Sequence, residues 1–164
     1  MEETKAALQR SLGGQRGHVC GILEGLDAEA LRRPVLPTGW SCAGLIQHLA
    51  LDVERFWFRA VLAGEQAVWE GFGDGDASAW QLADDTDPQS VIALYRDEVR
   101  LADEVITAMS LDAPPARWPE ELFGDFRLPD LQAVLLHVLT ETSTHAGHLD
   151  AARELIDGRT WMVL

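Results

Sequence analysis

The stretch that most constrains this chain lies near its end, LLHVLTETSTHAGHLDAARELIDG, which carries His137, Glu141, His145 and His148. A helix turns about 100° per residue, so side chains three and four positions apart stack on one face. Glu141 and His145 are such a pair, with His137 one turn before and His148 one turn after. Val134, Val138, Leu149, Ala152 and Ile156 mark the same side as the buried one. A carboxylate held beside an apolar stripe costs several kcal/mol unless it is paired or coordinated. The spacing therefore predicts a long amphipathic helix whose acidic and imidazole groups need a partner, and a divalent metal is the partner read here.

Size and charge narrow the setting. A chain of 164 residues is expected to form one domain, residues 1–164. It is long enough to bury about 70% of its unfolded surface without staples. No apolar run approaches the roughly 20 residues of a membrane span. The acidic N-terminus is not a signal peptide, so a cytoplasmic location is expected. Cys20 and Cys42 do not make a disulfide framework. A net charge of −14 with no cluster of Lys and Arg opposes binding to nucleic acid or to an anionic membrane.

Along the chain, Ala7, Leu8, Leu12, Val19, Ile22, Leu23 and Leu26 predict a first helix over 2–26. Gly13, Gly14 and Gly17 weaken it, and a kink or a close helix contact is expected there. RRPVLPTGW is a connection. Ser41 is a good N-cap for a second helix over 41–63, stopped by Gly64, with Leu45, Leu49, Val53, Phe56 and Ala60 as its core stripe. His48 lies at the edge of that stripe, with Asp52, Arg55 and Arg59 on its own side. Residues 64–86 form a long connection with room for a short helical turn that folds over the site. Asp87-Pro88 starts a third helix running to about 110. A second Pro-rich connection leads to the fourth helix, about 130–157, ended by Gly158. No strand pattern of useful length is present. The fold expected is all-α, a four-helix bundle with two long connections.

Zinc-like ions take imidazole nitrogen and carboxylate oxygen, and catalytic sites keep one position open. Glu141 and His145 supply two such groups from one helix. Bundle sites are completed from facing helices, and His48 is the histidine of the second helix. A site of that kind lowers the pKa of a bound water or thiol. His148 reads equally as a fourth ligand, a pocket acid/base or a surface histidine. His137 reads as a helix-face histidine and His18 as a lone one. Cys42 and Cys20 read as core. The tryptophans read as packing, with Trp80 and Trp118 in position to line a pocket. Asp74, Asp76 and Ser78 resemble the start of a calcium loop, but Ala79 stands where glycine is required and Asp85 closes the motif, which excludes it. Arg153 and Glu154 read as a salt-bridged helix face. Gly44 and Gly147 read as sites of close helix packing or of access to the metal.

The segment TGWSCAGLIQHLALDVERFWF resembles the second-helix motif of DinB-like (YfiT-type) proteins, and ETSTHAGHLDAARELIDG is similar to the fourth-helix motif of their actinobacterial branch. The resemblance spans nearly the whole chain. It implies a four-helix bundle with a divalent metal, usually zinc or nickel, near one end. In the branch related to mycothiol-dependent maleylpyruvate isomerase the ligands are His, Glu and His, which fall here on His48, Glu141 and His145. Glu141 stands where other members have histidine. The implied activity is a metal-dependent thiol S-transferase. It would use a low-molecular-weight thiol such as mycothiol on a small electrophilic substrate, with a homodimer as the assembly such proteins allow; His148, read from its own position, is the candidate acid/base or an extra ligand. The rival expectations are a metal-dependent hydrolase and a non-catalytic metal-binding stress-response protein.

Overall fold

The computed structural model describes residues 1–72 and 77–161. It is all-α, with no strand among the described residues. The long helices are α1 (Glu2–Leu23), α3 (Cys42–His48) with its direct continuation Leu49–Leu62, α5 (Pro88–Ala108) and α7 (Leu131–Asp157). Shorter pieces are α2 (Ala28–Arg32), α4 (Gln66–Glu70), a 3₁₀ turn (Ala77–Trp80) and α6 (Glu120–Phe123). α1 packs along α7, and α5 packs along the continuation of α3, which also touches α7. The result is a four-helix bundle whose two long connections carry α4, the 3₁₀ turn and α6.

Local chemistry sets most of the helix starts. Ser41, Asp87 and Asp130 each accept a backbone N–H of the first turn, from Gly44, Gln89 and Ala133 at 3.1, 3.0 and 2.8 Å. Pro88 follows Asp87 at the first helical position, where its missing N–H costs nothing. Gly158 ends α7 in the left-handed region at φ 79°. Asp27 caps α2 in the same way, accepting from Ala30 at 2.8 Å. Five residues carry no hydrophobic period, so that helix is missing from the sequence-based expectation and α1 ends earlier than expected, at Leu23.

Two further departures have physical causes. Gly13, Gly14 and Gly17 make no close helix contact, because a Cβ on any of them would meet nothing within 4 Å, and α1 runs unbroken through them. Beyond His48 the second long helix is π-helical through Leu62, closing with Ala63 N–H donating to Phe58 O at 2.9 Å. Its buried set is broader than one stripe and includes Glu54, Trp57 and Phe58 beside Val53 and Phe56.

The core runs the length of the bundle, with Leu12, Leu45, Phe58, Tyr95, Ile106 and Leu131 fully buried. Charged groups enter it in pairs. Arg16 of α1 grips Glu54 with two hydrogen bonds, 2.7 and 2.5 Å, and reaches Asp103 of α5 at 2.7 Å. Arg55 and Arg59 both hold the buried Glu98 of α5. Lys5 donates to Met109 O at 2.7 Å, covering the end of α5, and Arg153 donates to Ile22 O and Glu24 O, covering the end of α1. Arg153 pairs with Asp157 rather than forming a face with Glu154. One turn separates the first two, while adjacent residues diverge around the helix.

Candidate metal centre

Three side chains from two helices converge where the second long helix meets the middle of α7. His48 is the last residue of α3, and Glu141 and His145 lie one turn apart on α7. One ligand-capable atom from each of the three lies within 4.8 Å of the others. Glu141 Oε2 stands 3.5 Å from His145 Nε2, and the His48 and His145 rings meet edge to face at 5.1 Å.

Each imidazole is braced from behind. His48 Nδ1 is 2.8 Å from Asp52 Oδ2, one turn along the same helix. A carboxylate there favours the tautomer with hydrogen on Nδ1, leaving the Nε2 lone pair for the centre of the site. His145 has Nδ1 3.4 Å from His148 Nδ1, on the ring edge away from Glu141. Burial pushes His145 down to about 4, helped by the neighbouring His48 and His148 and opposed by Glu141. It is therefore neutral near pH 7, the form in which imidazole binds a metal.

A wall comes from the connection after α4. The Trp80 ring stacks on His48 at 4.1 Å with 20° between planes, and meets His145 edge-on at 5.6 Å. The 3₁₀ turn carrying it is fastened to α3 by Gln47 Nε2 donating to Ala79 O at 3.1 Å. Gly44 makes the approach possible: a Cβ there would lie 2.1 Å from Trp80 O. Of the two roles expected for Gly44, close packing and access to the metal, this is the first. The stacking of Trp80 is beyond sequence reasoning, because an aromatic in a loop carries no period that points to its neighbour.

The remaining sequence candidates lie elsewhere. His148 is exposed, touches His145 and has its ring 6.2 Å from Trp40, and it stands outside the group of three. His137 packs against Trp57 at 4.7 Å and Phe126 at 6.0 Å, also outside the group, and burial lowers its pKa. His18 accepts a hydrogen bond from Trp161 Nε1 at 2.9 Å. Cys42 is buried, its thiol pushed up to about 11 by desolvation, and Cys20 is half-buried. Asp74 and Asp76 lie outside the described residues.

Two neutral-capable imidazoles and one carboxylate, held within reach of one ion and each with an orienting neighbour, form a donor set that suits a divalent metal of the zinc type. Three protein donors leave a coordination position for a small molecule. Among the described residues no helix is long and apolar enough to cross a membrane.

No curated protein and no solved structure matches the chain. The profile of one family, described as mycothiol-S-transferase, matches residues 7–158, which takes in all four long helices from the first turns of α1 to the end of α7 and every member of the site. The chain thus belongs to the mycothiol S-transferase family.

Proposed function

We propose that the protein is a metal-dependent transferase that moves a low-molecular-weight thiol of the mycothiol type onto a small electrophile, with His48, Glu141 and His145 holding the metal. The convergence of these three side chains, each within 4.8 Å of the others, carries the reading. The family match supports the thiol as co-substrate. A divalent ion in this donor set, zinc or nickel, would lower the pKa of a thiol placed in the open position so that thiolate forms near neutral pH.

The protein's own groups perform the rest. Asp52 holds the His48 ring in register, and desolvation keeps His145 unprotonated. Trp80 covers the His48 face and keeps water from that side. His148, exposed beside His145, is placed to accept the thiol proton and pass it to solvent. In the transfer a carbon–sulfur bond forms, and the leaving group departs with its electron pair. Where the electrophile is an activated double bond, the adjacent carbon takes up a proton instead.

Elemental analysis of the purified chain, followed by a thiol screen against an alkylating fluorophore, tests this reading. Stoichiometric zinc or nickel and acceleration with a mycothiol-type thiol are expected. Metal-free protein as isolated, or cleavage of esters without any thiol, would overturn it.

A further inference from the structure

A second cavity, separate from the centre above, opens between the two long connections. It encloses about 470 Å³, within the range of small-molecule pockets. Its walls are four aromatic rings, Phe56, Trp69, Phe72 and Trp118, and its remaining lining includes Glu120 and Glu121. The rings come from the π-helical segment, from α4 and the connection just after it, and from the residues just before α6, so the chain assembles them from three separated stretches. Phe56 and Phe72 lie 4.4 Å apart. Arg117 sits over Trp69 at 5.4 Å and Arg127 over Trp118 at 5.3 Å. Neither Arg117 nor Arg127 is among the residues that line the cavity. Arg127 also pairs with Glu120 at 2.8 Å, so Glu121 is the lining carboxylate outside that pair. Exposed Leu122 extends the apolar lining to solvent. Trp57 and His137, in contact at 4.7 Å, stand between this aromatic cluster and Glu141, one turn beyond His137.

We infer that this cavity binds a flat aromatic group that carries no negative charge. Rings on several walls favour a flat ring by offset or edge-to-face stacking. Glu121 in the lining and the net charge of −14 oppose an anion and favour a cation or a neutral molecule.

Three probes of one ring system separate these terms: naphthalenemethanol, naphthylmethylammonium and naphthoate, each measured by equilibrium dialysis against the full chain without thiol. The alcohol and the ammonium ion are expected to bind, with naphthoate weaker by about tenfold or more. Trp69→Ala removes a wall and should weaken both bound probes about tenfold. Glu121→Gln, at an exposed position that leaves folding intact, should weaken the ammonium ion about threefold and leave the alcohol unchanged. Naphthoate binding as tightly as the alcohol, or an ammonium ion indifferent to Glu121→Gln, would overturn the inference. Because no thiol or turnover is involved, the outcome is independent of the metal-centre proposal.

Discussion

His48 and His145 differ in how their surroundings prepare them. Asp52 fixes the first by a hydrogen bond, and burial keeps the second neutral. Glu141 supplies the negative charge of the donor set. Under the proposed assignment, His48→Ala and Glu141→Gln each remove a donor and should abolish stoichiometric metal in elemental analysis. His137→Ala alters only the packing against Trp57 and Phe126 and should leave the metal content unchanged. Asp52→Ala tests the brace separately. Loss of an outer partner to a ligating histidine costs about ten- to a hundredfold in metal affinity, which competition with a chromogenic chelator would measure. Unchanged affinity would mean that packing against Trp80 alone orients His48.

At the scale of elements, two glycines of the same type answer different demands. Alanine is favoured over glycine inside a helix by up to about 1 kcal/mol. Gly13→Ala meets no neighbour within 4 Å and should gain most of that, raising the urea midpoint. Gly44→Ala meets the Trp80 carbonyl at 2.1 Å, and backbone atoms cannot swing aside as a flexible side chain would. The 3₁₀ turn must then retreat from α3. Gly44→Ala is expected to be destabilising despite the better helix former, and to change tryptophan fluorescence as the stack on His48 opens. A midpoint that rises for both variants would show that the turn is not seated on α3 as described.

For the molecule as a whole, buried ions and the pH response decide stability. Burial alone would push the Arg16 guanidinium down, but Glu54 and then Asp103 hold it above its ordinary value, while burial raises the Glu54 carboxyl against the pull of Arg16. Glu54→Ala removes the buried partner and leaves Arg16 paired only with the more exposed Asp103, and should cost about 3 kcal/mol in chemical denaturation. His145 gives the pH dependence its sign. Its folded pKa, about 4, lies below the ordinary 6.5, so between these values the unfolded chain binds a proton that the folded one does not. The metal-free protein therefore keeps this contribution above pH 6.5 and loses it progressively toward pH 4. The fall should be steeper than in His145→Gln, a comparison that cancels the relief of the net charge of −14 on acidification.

Much of the framework was legible in single residues. Asp87 with Pro88 at the start of α5 and Gly158 at the end of α7 were readable because caps act within one turn of the chain and need no knowledge of the rest. The helical period likewise put Glu141 and His145 on one face, and the all-α bundle follows from four such periodic stretches. Contacts between stretches were not legible. Whether His137 or His148 joins Glu141 and His145 depends on where α3 crosses α7, and a period says nothing about crossing. Arg153 reads from sequence as part of a salt-bridged helix face with Glu154, yet the end of α1 lies against it and its guanidinium closes two backbone carbonyls there. Trp80 reaches His48 from a connection whose path only the packed bundle defines. By itself the sequence determined the helices and the faces they present, because those follow from local hydrogen bonding and periodicity. The tertiary structure decided which faces meet, because that depends on how side chains from distant segments fill one another's space.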